Sequence, residues 1–460
     1  MRLTKRKTQS MLQGPLFSSI ISYTIPIMLT GLLQLLFNAA DLVIVGRYCG
    51  SIHVAAVSAT GAIINLIVNL FIGLSVGAGV AVAHALGGQQ DEEVHKTIHT
   101  ALPIALVSGG VLTVVGIVFS RTFLEWMGTP AGVLPYSTIY MQIYFAGMIF
   151  SMVYNYCASI LRAAGDTKSP LIFLTIAGVV NVGLNIVFIT VFGMKVDGVA
   201  LATTISQAIS AVLVVIALMR RKDACKLNLR RMRFYKKPLL KMIRIGLPAG
   251  IQGSLFSISN VIIQSSINSF NSEVLMSGNG AAGNLEGFVY VLMNSFHQTA
   301  VNYIGQNKGA HQFDRIKKIF RTCLLCVAVA GFVSGFSLWY FGRDLLRIYI
   351  TDSPLSIEYG VSRLTYIALP YFVCGLMDVS TGGLRGLGAS TVPMIISVLG
   401  VCGIRILWIY TVFQIPQFHT QECLYLSYII SWTITFIAQT IAFICVYKKQ
   451  KRLDARLQQS

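Results

Sequence analysis

Asp41 is the only acidic residue between Met1 and Gln90, and it closes an apolar run in which Gln34 and Asn38 precede it. Their spacing, i, i+4 and i+7, sets all three on one face of a helix. An ionised carboxylate in hydrocarbon costs about 2.5–3.5 kcal/mol on insertion scales, so it must face a cavity or polar partners. Such a group can change its charge state by taking up H⁺ or Na⁺. A second reading stays open: Leu16 to Asp41 covers roughly 37 Å at 1.5 Å per residue, enough to carry Asp41 to the far headgroups. Asn181 and Asn185 lie one turn apart, as do Thr203 and Gln207, with Ser210 on the same face. From spacing alone, such amides can hold neighbouring helices together, at about 0.6 kcal/mol each.

The C-terminal half has its own acids. Glu286, Tyr290, Asn294 and Gln298 follow one another at i+4. Glu286 is the best-isolated charge in the chain, which makes it a candidate for binding cation or substrate; a salt bridge to Arg405 is the structural alternative. Asp378 is a further candidate. Pro26 removes a backbone hydrogen bond within the first apolar run and permits a bend there. His84, His95 and His99 form the one histidine cluster, without a nucleophile beside it, so enzymatic chemistry is not expected. Nine scattered cysteines, with Cys323 and Cys326 the sole CxxC pair, give neither a disulfide framework nor a zinc site.

The elements that position these residues are membrane helices. The 460 residues are 55% hydrophobic and 12% charged, about half the charge of a soluble domain. A hydrocarbon core of about 30 Å needs about 20 apolar residues per helix. Stretches of that kind recur from Thr8–Ala40 to Cys423–Tyr447 and predict twelve spans. Most of the 36 Lys and Arg then fall on one side. Arg47, Arg121, Lys195, Arg343, Arg347 and Arg363 fall on the other, and Arg405 lies inside a span. This bias places both termini in the cytoplasm. It also assigns the basic charge to membrane surfaces rather than to nucleic acid. The basic opening Arg2, Lys5, Arg6 and Lys7 leads into an apolar run too long for a cleaved signal peptide.

The polar segment Arg220–Arg244 divides the spans six and six, giving an N-terminal bundle 1–219, a basic cytoplasmic linker 220–244 and a C-terminal bundle 245–460. Three echoes relate the halves. Leu161 to Pro170 and Leu384 to Pro393 both read L-R-small-x-G-x-S/T-x-x-P; Gly88-Gln89 answers Gly305-Gln306; Ile25-Pro26 answers Leu247-Pro248. An even helix number per half makes the repeat parallel, a design suited to alternating access around a central cavity.

At these motifs, together with Asn181-x-x-x-Asn185 and Gly198-Val199-Ala200-Leu201-Ala202-Thr203, the chain resembles the multidrug and toxic compound extrusion family, nearer its DinF-like prokaryotic branch. The resemblance runs from about Leu16 to about Tyr447. It implies an all-α polytopic protein of the bacterial inner membrane that exports cationic amphipathic molecules by exchange for H⁺ or Na⁺. It further implies that Asp41, Asn181, Asn185 and Thr203 gather around the coupling cation in the N-terminal bundle, with no metal beyond Na⁺ at Asp41, and that the first helix bends at Pro26. Asn185 stands where that branch often has Asp, so Asp41 is the sole acid of the site. No cofactor is expected, and no GxxxxGK[ST] phosphate loop occurs. Lipid is the solvent and a monomer the expected form. The rival within transport, a lipid-linked precursor flippase or polysaccharide exporter, needs several basic residues in its cavity, and Arg405 alone is available.

Overall fold

A computed structural model describes residues 11–350 and 353–457, and the described residues form helices joined by short loops, without strands. The basic opening residues Arg2, Lys5, Arg6 and Lys7 lie outside them. The helices are α1 (Leu16–Cys49), α2 (Ser51–Gly87), α3 (Asp91–Trp126), α4 (Leu134–Ala146), α5 (Met148–Ala163), α6 (Lys168–Thr190), α7 (Val196–Met219) and α8 (Lys236–Asn268). There follow α9 (Glu273–Gly309), α10 (Phe313–Tyr340), α11 (Gly342–Tyr349), α12 (Pro354–Ile367), α13 (Tyr371–Gly386), α14 (Thr391–Ser397), α15 (Ile404–Tyr410) and α16 (Gln421–Leu457).

Among the described residues, nine helices are long and apolar enough to cross a membrane, or up to eleven if two bent pairs each form one span. The expected twelfth falls in α9. That helix has 37 residues, but Asn279, Glu286, Asn294, Gln298 and Asn302 keep it too polar to pass on composition. The bent pairs are α4 with α5, at 47°, and α12 with α13, at 46°. They occupy corresponding places in the two halves, yet different residues make them. Gly147 breaks the first pair, where a Cβ would meet the Thr204 hydroxyl at 2.9 Å; Thr204 donates to the Ile143 carbonyl that the break frees. Pro370 breaks the second.

The repeat is visible in backbone geometry. After α5, Gly165 adopts φ 83° and after α13, Gly388 adopts φ 76°. Asp166 N–H donates to Leu161 O at 2.8 Å and Ala389 N–H to Leu384 O at 3.0 Å. Both loops therefore close their helices with the same left-handed glycine cap. The second echo needs correction. Gly305-Gln306 lies inside α9, and the true counterpart of Gly88-Gln89 is Ala310-His311. There Gln89 (φ 54°) and His311 (φ 58°) make the same turn, and Gln90 N–H and Gln312 N–H return to Ala85 O and Asn307 O.

The chain forms two compact units. One holds Ile25–Ser254, the other Gly14–Thr24 with Leu255–Ser460. The Arg220–Arg244 linker thus lies inside the first unit, and α1 and α8 each contribute to both. Packing explains both assignments. Thr24 hydrogen-bonds Thr299 at 2.8 Å, and the Tyr23 ring meets Tyr303 edge-on at 5.3 Å. In the first unit, Gly73 and Gly77 of α2 cross Gly246 and Gly250 of α8. A Cβ on Gly73 would sit 2.1 Å from Gly250 N, and one on Gly77 2.3 Å from Met242 O. Two GxxxG faces therefore bring the backbones together. The linker is tied down as well: Asn228 N–H donates to His99 Nε2 at 3.0 Å and Tyr235 N–H to Thr100 Oγ1 at 3.2 Å. Helix α8 then begins at Lys236, earlier than the expected Ile245, because long basic side chains reach the interface from within a helix.

Candidate functional site

Asp41 reaches its partners through a close helix crossing in the first unit. Phe37, one turn before Asp41 on α1, lies over Gly178 of α6, where a Cβ would come within 1.9 Å of its ring. The missing side chain lets α1 approach α6, and the next turns bring Asp41 against Asn181 and Asn185. All three are buried.

Asn185 Nδ2 donates to Asp41 Oδ1 at 2.5 Å. The Asn181 amide is satisfied on both sides when its nitrogen faces the carboxylate. It then donates to Asp41 Oδ1 at 2.8 Å, and its oxygen accepts from Thr203 N–H at 3.3 Å. Thr203 Oγ1 donates to Val199 O within its own helix. The sequence candidates Asp41, Asn181, Asn185 and Thr203 are thus one cluster. Asp41 Oδ2 has no hydrogen-bond partner among the described residues, and neither does the buried Asn185 Oδ1. No basic side chain pairs with Asp41 among the described residues. The cluster is a set of hard oxygens short of a donor, chemistry that suits H⁺ or an alkali cation.

Tyr140 and Tyr144 complete the surroundings, and sequence reasoning did not select them. Their rings stack at 6.1 Å, and both lie close enough to feel the Asp41 charge. The signal available was a run of tyrosines at i, i+4, Tyr136, Tyr140 and Tyr144, along one helix face. Gln34 and Asn38 do not join the cluster; both are exposed on α1. Pro26 lies inside α1, and Thr30 Oγ1 takes up its carbonyl at 2.7 Å.

In the second unit Glu286 is not isolated, and its partner is not Arg405. Arg363 lies within α12 rather than in an outer loop, and it grips both Glu286 oxygens, at 2.9 and 2.7 Å. Its remaining amino group donates to Asn279 Oδ1 at 2.6 Å, which also accepts from the Tyr425 hydroxyl at 3.1 Å. Asp378 is buried, with Oδ2 lacking a hydrogen-bond partner among the described residues. Its main-chain oxygen accepts from His297 Nδ1 at 2.7 Å, while His297 Nε2 accepts from Arg385 at 3.3 Å. Tyr290 is 43% exposed.

A twice-repeated helical architecture with bent membrane spans and a buried, acceptor-rich carboxylate defines a multi-pass membrane transporter. The MatE family profile matches residues 26–187 and again 248–411, so the chain belongs to the MatE family. It is 26% identical over 407 residues to the probable multidrug resistance protein YoeA of Bacillus subtilis (strain 168), covering 87% of each chain. It is 28% identical over 401 residues to YpnP of the same organism, a probable multidrug resistance protein, covering 87% of this chain and 89% of that one. The multidrug export protein MepA of Staphylococcus aureus (strain MRSA252) is 22% identical over 402 residues, 86% of this chain and 88% of its own. The fold is that of a solved multidrug resistance MATE family transporter in an outward-facing conformation: TM-score 0.88 at 18% identity, over 96% of this chain and 98% of that one.

Proposed function

We propose that the chain is a secondary active exporter of cationic amphipathic small molecules in the bacterial inner membrane, driven by exchange for H⁺ or Na⁺ at Asp41. The observation that carries this reading is the pairing of Asp41 with neutral amides alone. A carboxylate locked to Arg or Lys holds one charge state. One held by Asn181 and Asn185, with Asp41 Oδ2 and Asn185 Oδ1 still able to accept, gains from binding a proton or Na⁺. The names of the relatives in Bacillus and Staphylococcus support small-molecule export as the task.

In the cycle, the cation entering at Asp41 neutralises the carboxylate and stabilises one conformation of the first unit; loss of the cation stabilises another. The cation and the exported molecule are coupled because each shifts the same equilibrium, and that coupling is reciprocal. No cofactor takes part, the transporter works as a monomer, and both termini lie in the cytoplasm, as the basic segments indicate. The test is export from proteoliposomes with a pH gradient and a Na⁺ gradient imposed separately. One gradient alone should drive accumulation of an ethidium-type cation. Uptake that needs ATP and ignores both gradients would refute the reading.

A further inference from the structure

Arg405 is the second unit's unresolved charge. It is 4% exposed, and its Nε donates to Ser431 Oγ at 3.1 Å. Its guanidinium lies 4.0 Å from the Tyr428 ring centroid and 5.7 Å from that of Trp432. No carboxylate among the described residues forms an ion pair with it, because Glu286 commits both oxygens to Arg363. Both terminal amino groups, four N–H donors, have no hydrogen-bond partner among the described residues. Burying an unpaired ion carries a penalty of several kcal/mol, and an aromatic face returns about 2 kcal/mol of it.

The local fold is built to hold this group. Val398–Gly403, between α14 and α15, is a π-helical turn, a device that re-aims the residues after it and recurs at functional sites. Gly400 within it packs on Thr435, where a Cβ would lie 2.2 Å from Oγ1. This close approach to α16 sets Arg405, further along, over Tyr428. The Tyr371 ring in turn meets Trp432 at 5.3 Å, backing that wall of the site. The repeat supplies no counterpart: its 223-residue offset takes Arg405 to Val182, so the architecture does not demand the arginine.

We propose that Arg405, framed by Tyr371, Tyr428 and Trp432, binds an oxyanion, a carboxylate or phosphate, borne by an aromatic or amphipathic ligand. The planar guanidinium offers the parallel N–H pair that recognises such a group bidentately, and the rings supply the apolar walls. The protein then accepts zwitterions as well as simple cations, and in that sense the inference rests on the export reading.

The test is equilibrium binding to the purified full-length protein in neutral detergent, which needs no gradient and so does not depend on coupling at Asp41. Tryptophan quenching is titrated with an aromatic amino acid drug bearing a free carboxylate and with its methyl ester. Wild type should bind the acid about tenfold more tightly than the ester, a difference of about 1.4 kcal/mol. Arg405→Met should erase that preference while leaving the ester's affinity unchanged. Arg405→Lys, which keeps the charge and guards against a misfolded variant, should recover it only in part because an ammonium cannot bind bidentately. A parallel arm measures copurifying phosphatidylglycerol by mass spectrometry. If acid and ester bind alike but Arg405→Met loses that lipid, the oxyanion is a headgroup phosphate and the proposal stands with that source. Equal binding of acid and ester together with unchanged lipid overturns it.

Discussion

Replacing Glu286 by Gln keeps the volume of the side chain but removes the charge that compensates Arg363. The pair is buried, with side-chain exposures of 7% and 11%, and bidentate, so solvent screens it little. Asn279 and Tyr425 stay in place, but a neutral amide cannot replace the carboxylate. Breaking a buried pair from one side typically costs about 3–5 kcal/mol, whereas removing both partners can be nearly neutral. The single variant should therefore lose about 3 kcal/mol or more in reversible SDS unfolding. Glu286→Gln combined with Arg363→Met should regain more than half of that, a coupling visible in a double-mutant cycle. Export of cationic and neutral substrates should fall together, in step with the folded fraction. A variant that is as stable as wild type yet loses cationic substrates selectively would refute the ion-pair account and give Glu286 to the ligand.

Two further outcomes follow from close contacts. Gly250→Val should abolish stable folding of the first unit, since a Cβ would already lie 2.1 Å from Leu70 O; the readout is monodisperse yield in size-exclusion chromatography, with Gly280→Val, which has open space, as the control. His99→Ala removes the hydrogen bond that ties the exposed Asn228 N–H to α3, at about 0.5–1.5 kcal/mol, and should speed trypsin cleavage in the Arg220–Arg244 segment with little change in export rate.

What the sequence made legible depended on whether a conformation restricts residue type. The Arg-to-Pro loops of the two halves were recognisable because Gly165 and Gly388 sit at positive φ, where side chains are strained. The turn after α2 was misregistered because its partner uses His311 where composition offers no hint. The matched bends escaped notice for a related reason: Gly147 breaks one span and Pro370 the other, two chemistries with one geometric result. In the site, the faces carrying Asn181 with Asn185 and Thr203 were readable from helical spacing, and Asp41 from its isolation in an apolar run. That these faces meet was not, since the crossing depends on Phe37 filling the space above Gly178. Counting charges at span ends likewise misplaced Arg363, which the Glu286 pair holds inside α12.

The central claim is that the charge state of Asp41 couples cation to cargo. Asp41→Asn retains the volume and fixes the site as neutral. The decisive measurement compares substrate binding in detergent with gradient-driven export in liposomes on one preparation of this variant. The account predicts binding within a few-fold of wild type and export reduced to the leak of empty vesicles. Export at the wild-type rate would contradict it, placing Asp41 outside the coupling step.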